Sequence, residues 1–455
     1  GGTIKLDGNY PTGTNNVALG DAALASGSLS GGDNTAIGFQ ALTTNTSGTV
    51  NTAVGGDALR YNTTGGNNAS LGVNALKQNT SGSYNTGIGR SALQSNTTAS
   101  SNTAVGYQSL TSNTTGTRNV GVGYNTLSLN TTANDNTSVG HDALDVNTTG
   151  AFNTALGSSA LGSNTTAAAN TAVGYQALTT NTTGGDNAAF GYQAAQSNTT
   201  GDYLTAIGRQ ALYNNTTADN NTAVGYQSLY ANTTGSALTA VGTATLDANT
   251  TGVDSTAVGV SALGGNTTGS YNVAIGRTAL LNNTTASECT AVGYQAGYTG
   301  DAEQGTFIGK DSGKLVTGVK NTFVGAGSGN SVTSGDRNTI LGRYNGNQGG
   351  FDCRTRSNHI VLSDGDGNPR LRIDDDGNIK VPQVTSNTTG NSANMHITSG
   401  GEFAKSTSSL RYKNTVTVAT HGLTELLTLR PVTYKGNNDG DTVFGGLIAE
   451  EVHDA

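Results

Sequence analysis

Hydrophobic and polar positions follow a pattern that returns every 17 residues over most of the chain. A glycine marks the period from Gly38 through Gly55 and Gly72 to Gly293, and each unit reads approximately GYQALxxNTTGxxNTAV. A register kept for this long is typical of a repeat architecture in which each unit forms one structural coil. We therefore expect equivalent residues to lie directly above one another in successive coils.

Two apolar columns run through these units. The residue before each glycine is always apolar, as at Ile37 and Phe190, and a second column is leucine from Leu42 to Leu280 except at Ala195. We expect these two columns to form a thin core. The frequent Asn, Thr and Gly residues disfavour helices, so the segments NTAVG and YQALT are predicted to be short strands joined by turns. About sixteen such coils, stacked about 4.8 Å apart, make a stiff rod of roughly 75 Å.

Asparagine forms two further columns. The first, from Asn45 to Asn283, has no substitution at its fifteen positions, and stacked amides of this kind can donate and accept hydrogen bonds along the fibre axis. The second starts at Asn34 and is interrupted by other residues: Leu204, Leu238, Ser255 and Cys289. The NTT and NTS strings also match the N-glycosylation pattern, but their fixed period favours a structural origin.

Composition favours a fibre over an enzyme. The chain has 67 Gly, no Trp and only 11% charged residues, and one coil offers few large apolar side chains to offset backbone ordering. We therefore expect self-association as a homotrimer. The net charge is -8 and there is no basic run, which argues against nucleic acid and anionic membranes as partners. The sequence also lacks a run of eighteen apolar residues, so we do not expect membrane insertion. The start at Gly1 has no signal-peptide pattern and no initiator Met, so we expect a fragment of a longer protein.

Candidate chemistry in the repeats is sparse. Cys289 and Cys353 are interpreted as free thiols, and no metal cluster, dinucleotide fingerprint or phosphate loop predicts a metal or a cofactor. Acidic residues form no recurrent pair, so we expect no glycosidase or other substrate turnover from residues 17–345. The column after the glycine is variable and often aromatic or basic. Such residues suit contacts with sugars, but they are also typical of ordinary half-exposed strand positions, and we favour the second interpretation. Its aromatic and basic members are Phe39, Arg90, Tyr107, Tyr124, His141, Tyr175, Tyr192, Arg209, Tyr226, Arg277 and Tyr294.

The register changes after Gly293. The next glycines of the column stand at Gly309, Gly325 and Gly342, which indicates a change in cross-section. Short strands with Gly-containing turns are then predicted from residue 358 onward. Within them, Asp364, Asp366 and Asn368 have the spacing that opens a calcium loop, but Pro369 stands where such loops need Gly, so a hairpin turn is favoured.

The last 48 residues resemble a known family. Ser408, Arg411 and Lys413 are followed by the strings LRPV at 429–432 and GLIAEEV at 446–452. This order resembles the C-terminal intramolecular chaperone domain of bacteriophage tail fibres, tailspikes and endosialidases, a self-cleaving peptidase family. The resemblance implies that the domain guides trimeric assembly of the preceding fibre and then cuts itself off before the serine.

The resemblance also implies a Ser-Lys dyad. Ser408 would attack the Thr407 carbonyl with Lys413 as the base, since a serine hydroxyl needs activation and a buried neutral lysine amine can provide it. Spacing alone favours an ordinary surface Ser and Lys in a strand; with the resemblance, the dyad is favoured. Any enzyme activity is thus at most single-turnover autoproteolysis.

A second resemblance concerns the repeats. The strings NTAIG, NTAVG and NVAIG are similar to the SVAIG-like strands in the β-roll heads of trimeric autotransporter adhesins. Together, the patterns predict an all-β protein with a β-solenoid or β-roll shaft, a short β connector and the start of a small α+β chaperone domain. The predicted divisions are an entry with a degenerate first coil (1–33), 17-residue coils (34–299), variant coils (300–345), a β connector (346–383), a neck (384–407) and a truncated chaperone domain (408–455).

Three function classes follow. The leading one is the shaft of a phage tail fibre in the virion, assembled in the host cytoplasm, with other tail proteins and a host cell-surface glycan or protein receptor as partners. A bacterial trimeric adhesin on the cell surface is the alternative. An ice-binding solenoid is the third class, because regular Thr ladders can order water.

Overall fold

The computed structural model describes residues 14–382 in full, together with the backbone of four later strands. Every regular element among the described residues is a β-strand. Residues 1–382 and 383–455 form two compact units. The first unit is a β-solenoid of 17-residue coils, which confirms the predicted fold class of the repeats.

Each coil contributes one strand of three residues. Strands β1 to β20 are, in chain order, Val17–Leu19, Thr35–Ile37, Thr52–Val54, Ala69–Leu71, Thr86–Ile88, Thr103–Val105, Val120–Val122, Thr137–Val139, Thr154–Leu156, Thr171–Val173, Ala188–Phe190, Thr205–Ile207, Thr222–Val224, Thr239–Val241, Thr256–Val258, Val273–Ile275, Thr290–Val292, Thr306–Ile308, Thr322–Val324 and Thr339–Leu341. Neighbouring strands pair in parallel, with each residue beside its equivalent one coil away, as Thr205 is beside Thr222. Equivalent residues therefore form continuous columns.

A glycine ends every one of these strands because of its backbone conformation. From Gly20 to Gly325 this column has φ between +127° and +141°, a region that residues with a Cβ rarely adopt. A Cβ at Gly106 would also lie 2.1 Å from the carbonyl oxygen of Gly123 in the next coil. The period that is visible in the sequence therefore marks the point where the coil leaves its strand.

The YQALT segment is not a strand, contrary to the sequence prediction. In the coil that follows Gly106, Gln108 and Leu110 both adopt left-handed backbone conformations, with φ of 55° and 52°. The Gln108 amide donates to the Arg90 carbonyl in the preceding coil at 3.0 Å, whereas the Leu110 amide donates to Thr126 in the following coil at 2.9 Å. This alternation makes a tight turn that directs the leucine inward.

The core also differs from the expectation. The leucine column is fully buried, but the column before the glycine is half-exposed, with Leu71 at 50% and Ile275 at 42%. The buried strand position is the central one, as at Ala104, because successive side chains of a strand point to opposite sides. The core of each 17-residue coil is thus built mainly from alanine, leucine and asparagine.

The predicted asparagine ladder is confirmed. In fourteen successive steps, the side-chain Nδ2 of one residue donates to the Oδ1 of the residue one coil earlier at 2.7–3.2 Å, from Asn62 on Asn45 to Asn283 on Asn266. Gly300 occupies the next position of the column, and Asn283 Oδ1 is left without a hydrogen-bond partner among the described residues. The ladder therefore ends where the 17-residue period ends.

The second asparagine column links backbone to side chain. Asn34 Oδ1 accepts the Asn51 amide at 3.0 Å, and Asn51 Nδ2 donates to the Gly65 carbonyl at 2.9 Å. At Leu204 the backbone amide still donates to Asn187 Oδ1 at 2.8 Å. The leucine side chain, however, offers no oxygen to accept the backbone amide of the next coil and no Nδ2 to donate to a carbonyl. Substitution in this column therefore breaks only part of its hydrogen bonding.

The cross-section changes after Gly293, as predicted. The step between strands falls to 16 residues, with Thr290 beside Thr306 and Thr306 beside Thr322. Phe307 takes the place of the strand alanine, while Gly313 takes the place of the leucine. A Cβ at Gly313 would lie 2.4 Å from the Phe307 ring, so the phenylalanine fills the space of the missing leucine.

The solenoid ends in a β cap. The hairpin of β21 (Asn347–Gln348) and β22 (Phe351–Asp352) precedes β23 (Ile360–Ser363), which pairs in parallel with β20, and β24 (Pro369–Ile373) and β25 (Ile379–Lys380) continue the sheet antiparallel. The buried Tyr344 lies beneath this cap and donates its hydroxyl to the Phe351 carbonyl at 2.8 Å.

The described strands of the second unit form two antiparallel hairpins. The first pairs β26 (Met395–Ile397) with β27 (Phe403–Lys405), and the second pairs β28 (Pro431–Lys435) with β29 (Val443–Leu447). The second hairpin includes Pro431 and Val432 of the LRPV string and Gly446 and Leu447 of the GLIAEEV string. These two strings thus contribute to paired strands.

Candidate functional sites on the solenoid surface

An apolar stripe runs along the outer side of the solenoid. It consists of the column before the glycine, from Ile37 to Leu341, which we call the aliphatic column. Ten of its members expose 37–50% of their surface: Leu71, Ile88, Leu156, Phe190, Ile207, Val241, Val258, Ile275, Ile308 and Leu341. Contiguous exposed apolar surface of this extent is typical of an interaction surface.

The column after the glycine, which we call the outer column, stacks upon itself. The ring centroids of Tyr107 and Tyr124 are 5.3 Å apart, those of Tyr124 and His141 are 5.0 Å apart, and the planes differ by only 9–10°. The guanidinium of Arg209 lies 5.5 Å from the Tyr192 ring and 5.9 Å from the Tyr226 ring. Within these stacks the ring faces contact each other, so it is chiefly the ring edges that face solvent.

A polar pocket of about 420 Å³ opens near the end of the outer column. Its floor lies at Ala326 and Gly327, one coil after Lys310 and one coil before Arg343. We call it the end pocket, and its lining residues are Lys310, Asp311, Ala326, Gly327, Asn330, Arg343, Asn345, Gln348 and Asp366. Amides, carboxylates and cations therefore converge on one cavity.

Contacts inside the end pocket leave several groups available. Asp311 lies 3.8 Å from the Lys310 ammonium and 3.4 Å from that of Lys314. Gln348 Nε2 donates to the backbone carbonyl of Asp366 at 2.7 Å, which joins β21 to the turn between β23 and β24. Among the described residues, no carboxylate or aromatic ring contacts the exposed Arg343 guanidinium.

The Asp364 segment forms a hairpin turn, as the sequence favoured. Asp364 Oδ1 accepts the backbone amides of Asp366 at 3.0 Å and Asn368 at 2.9 Å, while Arg370 contacts the other oxygen at 2.9 Å. The amide of Asn368 and the side chain of Arg370 lower the pKa of Asp364 to about 2. The carboxylate is therefore used inside the turn between β23 and β24.

A related turn contains a run of three aspartates. Asp374, Asp375 and Asp376 each offer one oxygen within 4.8 Å of the others. Asp374 is already bonded to the Asn378 amide at 2.8 Å and to the Lys380 ammonium at 2.7 Å, and Lys380 is the main cause that lowers the pKa of Asp374 to about 2. These contacts make the segment a second Asp-stabilised turn.

Both cysteines are free and buried, which confirms the sequence interpretation. Burial raises the pKa of the Cys353 thiol to about 11 and also raises that of Cys289. Cys289 stands in the second asparagine column, where its thiol contacts the Ala302 carbonyl at 3.3 Å. Both thiols are therefore kept protonated and act as packing groups.

The predicted autocleavage residues Thr407, Ser408 and Lys413 lie outside the described residues, so the dyad stays a prediction. The described part of the chain contains no helix of the length and hydropathy needed to cross a membrane.

The fold and its surface define a β-solenoid repeat protein with an apolar stripe and a polar end pocket on its outer side. Comparison of the chain with protein-family models, with curated proteins and with solved structures finds no match.

Proposed function

We propose that this chain is the structural shaft of a phage tail fibre, a virion appendage for host attachment, and that it forms a homotrimer. The observation that carries the proposal is the uninterrupted solenoid. Strands β1 to β20 stack over roughly 90 Å at about 4.8 Å per coil. A shaft of this kind holds a recognition region away from the particle.

Stiffness supports the role of a spacer. Each coil is bonded to the next through its strand, through its turn and through the buried asparagine ladder, for example from Asn164 to Asn147 at 2.9 Å. Bending the rod requires several of these bonds to lengthen together, in an interior where no water replaces them. The amides therefore contribute to rigidity along the axis.

The aliphatic column supports self-association. Its partner in the proposal is the same column of further copies, since an apolar ladder with a regular period matches another copy of itself in every coil. A standard interface uses about 20 to 30 residues a side. Each of the twenty strands of the shaft has three residues, and the first and the third face outward while the central one faces the core. The surface is large enough for a stable assembly.

The C-terminal residues support chaperone-assisted assembly through their resemblance to the self-cleaving family. In the proposed reaction, the Ser408 hydroxyl gives its proton to Lys413 and its oxygen attacks the Thr407 carbonyl carbon. The Thr407–Ser408 C–N bond breaks as the Ser408 amine takes up a proton, and water then hydrolyses the resulting ester. The shaft would end at Thr407 after this single turnover.

Ice binding is less well supported by the threonines. From Thr63 to Thr267, the first Thr of each NTT string donates its hydroxyl to the carbonyl of its equivalent in the next coil, as Thr114 does to Thr131 at 3.0 Å. In the strands, outward Thr alternates with the aliphatic column, so there is no double row of threonine on the described face.

The test is expression of the gene through its natural C-terminus, with intact and native mass spectrometry of the wild type and of Ser408→Ala. We expect a cut between Thr407 and Ser408 that disappears in the variant, and a trimer in both. If the wild type and the variant both stay uncut, the autocleavage proposal is wrong. If the protein is a monomer, the trimeric shaft is wrong.

The interface is tested separately. Ile207→Asp combined with Val241→Asp introduces charges into the aliphatic column and should convert the trimer to monomers. Thr243→Asp, on the exposed outer column of the same region, is the matched control and should remain trimeric. A trimer that survives the double substitution would place the interface elsewhere.

A further inference from the structure

The end pocket arises from a local change in the outer column. In each coil the residue after the glycine and its successor normally carry at least one side chain longer than Cβ, such as Tyr-Gln or Arg-Gln. Ala326 and Gly327 are the only pair, from Phe39 to Arg343, in which neither residue does. The coils on either side carry Lys310 and Arg343, so the small pair opens a cavity between two cations.

The cations favour a ligand with a negative charge. Equivalent positions two coils apart lie about 10 Å from each other, so Lys310 and Arg343 can both reach a group seated over Ala326. Asp311 is shared by two ammonium groups, those of Lys310 and Lys314. Arg343 contacts no carboxylate in the described part of the chain and is free to make a bidentate pair with one.

The remaining lining groups favour hydroxyls beside that charge. Asn330 Oδ1 accepts from Ser331 at 3.0 Å and Asn345 Oδ1 accepts from the Asn347 amide at 2.8 Å, which leaves both Nδ2 groups as donors within the described structure. The Asp366 carboxylate lines the same pocket and can accept from a hydroxyl, but it would repel a simple anion. A volume of about 420 Å³ also exceeds what a small inorganic anion fills.

The walls of the pocket are held in place before any ligand arrives. The Gly327 amide donates to the Lys310 carbonyl at 2.7 Å, and Gln348 Nε2 fixes the Asp366 loop at 2.7 Å. A site with bonded backbone walls loses little conformational entropy on binding.

From these contacts we infer that the end pocket binds a saccharide unit that carries a carboxylate. The carboxylate pairs with Arg343 and Lys310, and ring hydroxyls bond to Asn330, Asn345 and Asp366. The site would serve the attachment role proposed above, but its binding is measured on the purified chain and does not depend on trimerisation or autocleavage.

The test is isothermal titration of the full chain with D-glucuronate, with glucose and inorganic sulfate as comparison ligands. We expect glucuronate to bind at least about tenfold more tightly than either, because only glucuronate uses both the cations and the amides. Equal binding of sulfate would reveal a simple anion site, and equal binding of glucose would show that the cations take no part. Either result, or no binding of glucuronate, overturns the inference.

Two variants locate the site. Arg343→Ala should weaken glucuronate binding at least about tenfold by removing a charged pair, whereas Arg277→Ala, in the outer column outside the pocket, should leave it unchanged. Ala326→Tyr restores a residue type that is common in the outer column and should block the pocket while the coil stays folded, as circular dichroism would show. Unchanged binding in folded Ala326→Tyr would exclude this pocket.

Discussion

The side-chain Nδ2 of Asn164 donates to Asn147 Oδ1 at 2.9 Å and to the Ala167 carbonyl at 3.0 Å, and both asparagine side chains are fully buried. One amide thus satisfies an acceptor in its own coil and another in the preceding coil. A buried polar group of this kind is favourable only while its partners are complete. The same bond in each coil links local turn formation to axial stacking.

Asn164→Ala should therefore destabilise the shaft by about 3 kcal/mol, because it leaves Asn147 Oδ1 buried without its donor and removes the Oδ1 that accepts from Asn181 Nδ2 at 3.0 Å. The Ala167 carbonyl keeps a second donor, Asn153 Nδ2, at 2.9 Å. Urea unfolding measures the loss, and hydrogen exchange shows whether it is centred on this coil. Thr166→Ala, at an exposed position two residues away, is the control and should change stability by less than about 0.5 kcal/mol. Equal effects of the two substitutions would contradict a structural role for the ladder.

The outer column has a gap at Ser158, between His141 and Tyr175. Rings stack on the far sides of the gap, with Tyr124 at 5.0 Å from His141 and Tyr192 at 5.4 Å from Tyr175. Ser158→Tyr should join the two stacks and stabilise the protein by about 1 kcal/mol through two new ring pairs. Ser158→Leu adds apolar surface without a ring and should raise the thermal midpoint less. A larger gain from leucine than from tyrosine would contradict the stacking account.

His359 gives the cap a pH dependence. It stands in the second asparagine column, is only 3% exposed, and has no hydrogen-bond partner at Nδ1 among the described residues. Burial is the main cause that lowers its pKa below 6.5; Arg356 lowers it too, while Asp375 and Asp374 act in the opposite direction. The unfolded chain then takes up the proton first, so stability is complete above about pH 6.5 and falls as the pH decreases below that value.

His359→Asn restores the usual residue of the column and should remove this component of the pH dependence. Urea unfolding at pH 7 and pH 5 measures the change in the free energy of unfolding between the two pH values for each protein. The contribution of the aspartates is the same in wild type and variant, so it cancels when the two changes are subtracted. Identical changes in stability between the two pH values would show that His359 does not titrate as described.

The buried thiols should be almost unreactive in the folded protein. With the pKa of Cys353 at about 11 and that of Cys289 also raised, little thiolate exists at pH 8, and both side chains are buried. We expect Ellman's reagent to label them at least about a hundredfold more slowly in buffer than in denaturant. Rapid labelling of the native protein would show that the cap or the coil of Cys289 opens readily.

Column chemistry was the part of the fold that the sequence predicted best. The Asn45 column and the glycine period are recognisable in the sequence, because a side chain that must match its own copy in the next coil cannot vary freely. The turn around Leu110 differs from the strand that the sequence predicts, because φ of 52° at a leucine is unfavourable by itself and is stabilised only by burial and by bonds to neighbouring coils.

The end pocket could not be predicted in the same way. Lys310 and Arg343 follow glycines of the repeat, but Gln348 belongs to β21 and Asp366 to the turn between β23 and β24, so both lie outside the repeat and reach the cavity only through the cap. No sequence period relates these residues to Ala326. The available sequence signal is that neither Ala326 nor Gly327 carries a side chain longer than Cβ.

By itself, then, the sequence determined that each 17-residue unit is one coil and that identical residues stack, because only a solenoid keeps such a register. The tertiary structure decided which side of the three-residue strand faces inward. Leucine from the turn occupies the space beside the strand. Gly87 stands where most strands have alanine, and a Cβ added there would lie only 3.2 Å from the Leu76 side chain, so no larger side chain has room. Alanine therefore fits inside and valine or isoleucine faces outward, and where Gly313 removes the leucine, Phe307 takes its volume.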